Sequence, residues 1–493
     1  MCPAMSTVTP TSTPEPSAAP TSGWRYWGSL PVMLTSMFMI TLDFFIVNVA
    51  VPSVQRDLNA DAAAIQMVVA GYGLAYAAGL ITGGRLGDIY GRRKLFMIGI
   101  GLFTVASLVC GIATSSEVLI AARIVQGIAA ALSTPQELAI LGLVYRGADR
   151  SRAFMAAALA TAVAGVFGQL IGGLLIAADP DGIGWRLCFL INLPIGIAAL
   201  ALAPKVVPES RAVPAARLDP LGIVLVTLGM LGIIYPLIEG RERGWPMWTI
   251  VCLAASVPLL VLFVAQQVRN RRRGGSPLVD LSLFRDRPFS LGVVMALLYN
   301  SGMASFFLFF ALYLQQGRRM TALGSGVLII MVGVGFVAAS VFGPQLSNRI
   351  GPRVITLGAL VLAAGWLLLM GAVDRFGDSS VWVLAPALVI IGLGMGTVVA
   401  PLTSTALATL PSSHAGAASG VLSTSIQIGN ALGVAVIGIV FYDTLGSGAS
   451  AVAYSDALRL STVCLLALIL AVAVLAWWLP RNAGTTSATE GNA

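Results

Sequence analysis

"GRLGDIYGRRK", residues 84–94, brings five charged side chains into eleven positions of a chain in which only 10% of residues are charged. Long apolar stretches flank it on both sides, so these charges lie in a connection between two expected membrane helices. Basic residues hold such a connection on the cytoplasmic side. Glycine permits a tight reversal, and Asp88 can accept hydrogen bonds from neighbouring arginines. We therefore predict a structured cytoplasmic hairpin.

The composition of the whole chain excludes a soluble protein. Of its 493 residues 57% are apolar, and the mean hydropathy is +0.89, whereas soluble domains are about half apolar and one-quarter charged. Apolar stretches recur that can cross the roughly 30 Å hydrocarbon layer as helices. The sequence therefore predicts an all-α polytopic membrane protein. We place fourteen spans, at 28–51, 64–84, 95–113, 117–141, 153–177, 185–204, 219–238, 246–267, 288–314, 322–346, 353–373, 380–404, 415–442 and 457–479.

The distribution of basic residues predicts the orientation. An even number of spans puts both termini on one side, and about twenty Arg and Lys residues then face the cytoplasm against about eight outside. We expect a bacterial cytoplasmic membrane protein with both termini cytoplasmic. The net charge of +8 is explained by this topology, so no nucleic-acid partner is implied. Residues 1–27 lack the basic start and short apolar core of a signal peptide and are expected to be a disordered tail, and 480–493 a short C-terminal tail.

A second stretch, "GPQLSNRIGPR" at residues 343–353, follows the tenth span as "GRLGDIYGRRK" follows the second. Four residues, Leu86, Asp88, Gly91 and Arg93, match Leu346, Asn348, Gly351 and Arg353 with a constant offset of 260. Repeated helical halves with a substrate site between them are common in secondary transporters. We predict six-helix bundles over 28–204 and 288–479, and an inserted two-helix segment with basic linkers over 205–287.

Three further motifs carry a family resemblance. They are "LDFFIVNVAVP" at 42–52, the set Leu119, Arg123, Gln126 and Gly127 in the fourth span, and "WRLCFLINLPIG" at 185–196. With the loop at 84–94 they resemble the major facilitator superfamily, in particular its fourteen-span drug:proton antiporter family. The resemblance implies alternating access, export of hydrophobic or cationic small molecules such as drugs, antibiotics or secondary metabolites, and protons as the coupling partner. We expect a monomer that uses neither ATP nor a cofactor.

Two positions depart from the pattern of that family. Phe45 stands where the first-span motif usually has Thr, which removes a hydroxyl from the site. In the fifth span Gln169 replaces the usual Pro after Gly168, so we expect the proline kink to be lost. Gly168, Gly172 and Gly173 still permit close helix approach, and we predict that they pack against other helices.

Three charged residues lie four or more residues inside the ends of expected spans. A charge at a helix centre costs at least about 2.5–3.5 kcal/mol, so each is a functional candidate. Asp43 and Arg123 lie about 12 Å and 9 Å below the outer ends of their spans, similar enough depths for contact. Glu137 follows Arg123 by fourteen residues, which returns to nearly the same helix face. We predict proton coupling by Asp43, Arg123 and Glu137, with a fixed structural ion pair and an interfacial Glu as the alternatives.

Polar and aromatic residues inside the spans are candidates for a substrate cavity. Tyr299, Phe306 and Tyr313 recur every seven residues and could share one face, which suits an apolar or aromatic ligand. The predicted lining is Asn48, Gln126, Thr134, Tyr299, Asn300, Phe306 and Tyr313, with Asn192, Gln427 and Asn430 as further candidates. The predicted cytoplasmic gate is Gly84, Asp88, Gly91, Arg92 and Arg93.

Other function classes find no support in the sequence. The two lysines, Lys94 and Lys205, belong to no Gly-Lys-Ser/Thr phosphate loop, so an ATP-driven pump is not expected. One histidine and five scattered cysteines offer no nucleophile–base pair and no metal cluster, so we expect no enzyme and no metal site. The alternatives that remain are an uncoupled facilitator or channel and a dedicated exporter of one endogenous metabolite. Asp43 and Glu137 favour the antiporter, because a facilitator needs no titrating acid.

Overall fold

The computed structural model describes residues 23–479 except 146, 179–182, 212–218, 276, 280, 376–379, 408–414 and 447–449. Every regular element in this part of the chain is helical. The α-helices are α1 (Trp24–Asp57), α2 (Ala62–Tyr90), α3 (Arg92–Gly111), α4 (Ser116–Val144), α5 (Gly147–Ala178), α6 (Gly184–Leu190), α7 (Asn192–Val206), α8 (Pro220–Glu242), α9 (Met247–Arg272), α10 (Arg287–Leu312), α11 (Ala322–Ile350), α12 (Arg353–Arg375), α13 (Ala385–Leu407), α14 (Ala415–Leu445) and α15 (Ala451–Trp477). Shorter turns are 3-10 at Leu281–Arg285 and Val381–Leu384 and π-helical at Tyr313–Gly317.

The number of membrane spans agrees with the prediction. Thirteen segments of the described chain are long and apolar enough to cross a membrane, with α6 and α7 forming one of them. A bent pair, Arg152–Gly165 and Phe167–Ala178, makes fourteen if it is counted as one span. The prediction of an all-α polytopic fold is therefore confirmed.

The bend in α5 corrects one expectation. Its two parts meet at 43° although proline is absent from this helix. The bend lies in a glycine-containing stretch, where Gly165 and Gly168 face Phe45 of α1. Glycine is one of the known causes of helix kinks. The loss of the family's proline therefore did not straighten α5, and the bend lies where the glycines of this helix pack on Phe45.

The N-terminal boundary also differs from the expectation. Helix α1 begins at Trp24, so the last four residues of the predicted tail 1–27 are helical. The Tyr26 hydroxyl donates a hydrogen bond to Asp149 Oδ2 (3.1 Å), and its ring packs edge-on against Tyr145 at 5.0 Å. These contacts fix the start of α1 on the connection between α4 and α5. The rest of that tail, residues 1–22, and the C-terminal tail 480–493 lie outside the described residues.

The helices form two bundles that meet face to face. Helices α1–α7 pack on one another, and so do α10–α15. The offset of 260 residues carries the bounds of α2 onto those of α11. Contacts between the bundles are reciprocal, because α5 packs on α11 while α14 packs on α2. Two six-helix bundles, with an inserted helix pair between them in sequence, are thus the observed architecture.

The inserted pair lies against the side of the seam between the bundles. Helices α8 and α9 pack on each other, and α8 contacts both α2 and α14. Asp219 caps α8 by accepting a hydrogen bond from the Gly222 amide (3.0 Å). Part of the preceding linker, 212–218, is outside the described residues. The pair therefore covers the α2–α14 seam from outside.

Close approach of α11 and α13 predicts a large stability effect at Gly392. A Cβ atom built there would lie 1.9 Å from the Val332 carbonyl oxygen. We expect Gly392→Ala to force the helices apart, at a cost of about 1–3 kcal/mol, and to lower the midpoint of thermal unfolding measured by fluorescence-detected size exclusion. Gly371→Ala is the matched control, because a Cβ there meets nothing within 4 Å. Equal midpoints for the two variants would contradict this packing.

Candidate functional site

The helices of the two bundles end at two opposite faces of the molecule, which we define by their residues. The basic face is the one where α1 begins and where the turn at Gly91 joins α2 to α3, beside Arg92, Arg93 and Lys94. The opposite face is the one where α1 ends and where the π-helical turn Tyr313–Gly317 follows α10.

A fully buried polar cluster surrounds Asp43 in the first bundle. Arg123 Nη1 donates to Asp43 Oδ2, and both side chains are completely shielded from solvent. Asp43 Oδ1 accepts from Asn192 Nδ2 (2.8 Å) and Gln126 Nε2 (3.2 Å). Both amides also donate to Ser107 Oγ. Helices α1, α4 and α7 therefore meet at one carboxylate, and α3 joins the cluster through Ser107.

Arg123 is held on several sides. Its Nε donates to the Val68 carbonyl (3.1 Å), and its guanidinium carbon lies 4.3 Å from the centre of the Tyr72 ring and 5.8 Å from that of Phe189. Nη2 is buried without a hydrogen-bond partner among the described residues. Cation–π contact strengthens when the cation is desolvated. The arginine is thus positioned by its surroundings as well as by Asp43.

Glu137 occupies a separate position on the same helix. Its Oε1 accepts from Ser36 Oγ, and Oε2 is buried without a partner in the described structure. Between this carboxylate and Arg123, Tyr72 and Tyr76 of α2 lie with ring centres 5.9 Å apart. The Tyr76 hydroxyl donates to Thr134 Oγ1 (2.8 Å). The polar stripe predicted along α4 is therefore interleaved with tyrosines from α2.

A central cavity of about 430 Å³ lies between the two bundles. Glu137 contributes the one carboxylate among its described lining residues. Seven aromatic rings line it, from Phe44, Phe45, Tyr72, Tyr76, Tyr299, Phe307 and Phe336. Phe45 and Phe307 meet edge to face across the bundles, with centroids 5.6 Å apart. The neutral polar lining is Thr41, Thr134, Thr161, Asn300, Gln427 and Asn430. An apolar aromatic chamber with few polar groups is typical of a small-molecule site.

The structure brings only part of the predicted lining to this cavity. Thr134, Tyr299 and Asn300 line it, whereas Gln126 belongs to the Asp43 cluster. The expectation for Asn48, Phe306 and Tyr313 is corrected, since all three are buried elsewhere. At about 100° per residue, the cavity side of α10, formed by 299, 300, 303, 304 and 307, is centred about 70° away from Tyr299. Phe306 falls beyond its edge and packs on Phe310 and Trp366 instead.

The glycines of α5 lie at two helix contacts. Gly168 and Gly172 face α1, where built Cβ atoms would lie 3.1 Å from Phe45 Cβ and 2.8 Å from Ile46 Cγ1. Gly173 faces the other bundle, with its built Cβ 2.7 Å from the Ala322 carbonyl oxygen. Gln169 is buried beside this contact, and neither of its amide atoms has a partner in the described structure.

The predicted gate loop is a compact turn on the basic face. Gly91 has φ +109°, which favours glycine, and Asp88 Oδ1 accepts from Arg92 Nη2 (2.9 Å) and Nε (3.3 Å). A Cβ built on Gly84 would lie 3.6 Å from Pro135 Cβ, an ordinary van der Waals distance, so this position does not require glycine for close packing. Arg93 donates to the Val207 carbonyl (3.1 Å), so the loop is bound to the segment that follows α7.

Glu209, which binds the end of this loop, was not identified from the sequence. Its carboxylate accepts from the backbone amides of Arg93 and Lys94, both at 3.1 Å, and lies 3.8 Å from Arg93 Nε. These amides open α3 and have no partner within the helix, so an anion there is stabilising. The sequence does show an acid directly after Pro208, but it does not reveal that the partners of this acid lie about 115 residues away.

A cross-bundle contact on the opposite face was also missed. The π-helical turn places Gln315 Nε2 3.1 Å from the Val49 carbonyl and Gln316 Nε2 2.9 Å from Gln55 Oε1. The Tyr454 hydroxyl donates to Gln316 Oε1. We call Gln315 and Gln316 with these partners the glutamine latch. Single π-helical turns often occur at functional positions. The serines and tyrosines around the two acids were missed for a simpler reason, because such residues are common in apolar helices.

Comparison with known proteins identifies the family. The family model of the Major Facilitator Superfamily matches residues 33–434. The chain therefore belongs to the Major Facilitator Superfamily and is a multi-pass membrane transporter, as the motifs indicated.

Individual relatives are similar over most of their length. "Probable actinorhodin transporter" of Streptomyces coelicolor is 39% identical over 448 residues, which cover 90% of this chain and 78% of that protein. "Tetracenomycin C resistance and export protein" of Streptomyces glaucescens is 33% identical, with coverage of 88% and 80%. "Puromycin resistance protein pur8" of Streptomyces alboniger is 34% identical, with coverage of 88% and 84%.

Solved structures share the fold. A bacterial homologue of the human lysosomal transporter Spinster, in an inward-facing and unoccupied conformation, aligns with a TM-score of 0.67 at 17% identity over 92% of this chain and 97% of that chain. An auto-inhibited peptide transporter of the POT family aligns with a TM-score of 0.66 at 16% identity and the same coverage. At these identities the likeness shows the fold alone.

Proposed function

We propose that this protein is a proton-coupled exporter that moves hydrophobic, aromatic or cationic small molecules out of the cytoplasm by alternating access. The observation that carries the proposal is the fully buried Asp43–Arg123 pair in the wall of a bundle that also presents Glu137 to an aromatic cavity. The relatives named for actinorhodin transport, tetracenomycin C export and puromycin resistance support export of an antibiotic or a similar metabolite.

The geometry suggests how a proton can act on the first bundle. Ionised Asp43 holds Arg123, Gln126 and Asn192 together, so helices α1, α4 and α7 share one charge. A buried ion pair that loses one charge leaves the other uncompensated at high cost. Protonation of Asp43 therefore destabilises this arrangement and favours a different packing of the same helices. A proton can in this way bias the equilibrium between two states of the transporter.

The present arrangement fits the state that is open toward the basic face. Glycine contacts between α5 and α11 and the glutamine latch join the bundles toward the opposite face. If the positive-inside rule holds, the basic face is cytoplasmic, and this is the loading state. Export then requires that the latch opens while the halves close at the basic face, which is the rocking motion of repeat-built transporters.

Reconstitution tests this proposal directly. Purified protein in liposomes that carry an internal pH dye is given ethidium or puromycin, with and without an imposed pH gradient. A coupled exporter accumulates the probe against its gradient and moves protons in the opposite direction. An uncoupled facilitator equilibrates the probe with no response to the pH gradient, and that result would reject coupling. Transport of one tested compound alone, among several structural classes, would favour a dedicated exporter.

Asp88 provides a prediction about turnover. We expect Asp88→Asn to reach the membrane in normal amounts, because acids contribute little to topology. It should nevertheless slow export severalfold, because the ion pair that orders Arg92 in the turn is lost. Glu239→Gln is the matched control, since Glu239 forms a similar ion pair with Arg243 four residues away, at the end of α8 on the opposite face. Initial rates in liposomes containing equal amounts of protein measure the effect. If Asp88→Asn exports as fast as the control variant, Asp88 stabilises the turn but does not affect turnover.

A further inference from the structure

A second cavity lies outside the transport site, between the inserted helix pair and the seam of the bundles. It has a volume of about 280 Å³ and apolar walls from α2, α8, α9, α14 and the 3-10 turn Leu281–Arg285. Leu260, Phe263 and Val264 form the wall on α9, and Phe284 and Leu281 form the wall on the turn. An apolar slot at the lipid-facing side of a membrane protein suits a hydrocarbon chain.

A third cavity, of about 400 Å³, continues from this slot toward the basic face and shares Leu281 with it. Its walls carry three arginines, Arg271, Arg272 and Arg285. On α9 the two linings form a single stripe at positions 260, 263, 264, 267, 268 and 271, spaced as one helix face requires. Between Leu260 and Arg271 the stripe changes from apolar to cationic over about 16 Å.

Gln267 fixes the junction of the two cavities. It is almost completely buried, and its Nε2 donates to Asp219 Oδ2 (2.9 Å). Its Oε1 accepts from the backbone amides of Leu278 (2.6 Å) and Val279 (3.2 Å). The segment after α9 is therefore attached to that helix at this level, so the slot has a defined wall even without a ligand.

We propose that the second and third cavities together, which we call the combined slot, bind one anionic phospholipid. An acyl chain would occupy the apolar second cavity, and the phosphate would lie at Arg272 and Arg285 in the third. The apolar cavity and the cationic cavity are both needed to identify the ligand as an anionic lipid. A free anion would leave the apolar part unused, and a neutral lipid would place no negative charge beside Arg272 and Arg285. Guanidinium groups bind phosphate oxygens in a bidentate manner, and basic pockets between membrane helices on the cytoplasmic side bind lipid headgroups of this kind.

The position of the slot gives the lipid a structural role. Thr424 and Ser425 of α14 line it, while the adjacent Ile426 and Gln427 line the central cavity. A bound chain would therefore contact α8, α9 and α14 together and attach the inserted pair to the seam. This inference does not depend on proton coupling, so failure of one leaves the other standing.

Lipid binding to the purified full-length chain tests the proposal. Dioleoyl phosphatidylglycerol should remain bound in native mass spectrometry and raise the unfolding midpoint. Dioleoyl phosphatidylcholine, dihexanoyl phosphatidylglycerol and inorganic phosphate should do neither. If phosphate or the short-chain lipid acts as strongly as dioleoyl phosphatidylglycerol, the apolar cavity does not bind an acyl chain. If dioleoyl phosphatidylcholine acts as strongly, the arginines do not select an anionic headgroup. Each of these results overturns the proposal.

Charge-matched variants locate the site. Arg272→Gln combined with Arg285→Gln should weaken binding of dioleoyl phosphatidylglycerol by about tenfold or more, because charge-assisted hydrogen bonds are lost. Arg269→Gln combined with Arg273→Gln removes the same charge from residues that line neither cavity, and it should bind like the unmodified protein. All four arginines are exposed, so both variants should fold. Equal loss in the two variants would reduce the effect to general surface charge and reject the site.

Discussion

Asp43→Asn should reduce uphill export to the level of protein-free liposomes. The asparagine cannot carry a negative charge, so the cluster loses the group that a proton would neutralise. The same change leaves Arg123 buried beside neutral partners, and removal of one partner of a buried pair costs about 3–5 kcal/mol. Flux in liposomes with an imposed pH gradient measures the first effect, and the unfolding midpoint measures the second.

A double variant separates loss of coupling from loss of folding. Asp43→Asn combined with Arg123→Gln removes both buried charges and should recover much of the lost stability, because the uncompensated cation is gone. It should still fail to move substrate uphill. Asp456→Asn, at an exposed position of α15, controls for the substitution itself. Undiminished uphill export by a folded single or double variant would show that Asp43 is only a structural ion pair, the alternative that the sequence left open.

Glu137→Gln should separate charged from uncharged substrates. Glu137 is the one carboxylate among the described residues of the cavity wall, and its Oε2 has no partner there. Charge-assisted contacts are worth about 1.5–3 kcal/mol. We therefore expect the apparent KM for ethidium, a permanent cation, to rise roughly 10- to 100-fold. The KM for Nile red, an uncharged dye, should change little. Glutamine retains the shape of the side chain and can still accept from Ser36.

Glu117→Gln is the matched control, because Glu117 is an exposed acid in the first turn of the same helix. It should leave both KM values unchanged. If Glu137→Gln raises the two KM values equally, the residue shapes the cavity and its charge is not used for recognition. If instead it abolishes the proton response for both dyes while KM stays constant, Glu137 acts as a proton site alone, and binding of the cation must be assigned elsewhere.

The sequence predicted those features that depend on local composition. The length of an apolar stretch decides whether it can cross a membrane, so the spans and the all-α fold followed from the chain alone. The offset of 260 residues predicted the repeat, and α2 and α11 have equivalent bounds. Depth along a helix is also local, because each residue adds a fixed rise. For that reason the similar depths of Asp43 and Arg123 predicted a contact, which the structure contains.

Tertiary structure decided how each helix is rotated and which distant groups meet. Rotation depends on packing against neighbouring helices, so α10 turns Phe307 toward the cavity and Phe306 toward Trp366. The partners of Glu209 and Gln316 come from other parts of the chain, and no local pattern encodes such contacts. The bend in α5 likewise lies at its contact with Phe45 of α1, a distant part of the chain. Composition along one helix sets its length and depth, whereas contacts among several helices set its direction and its partners.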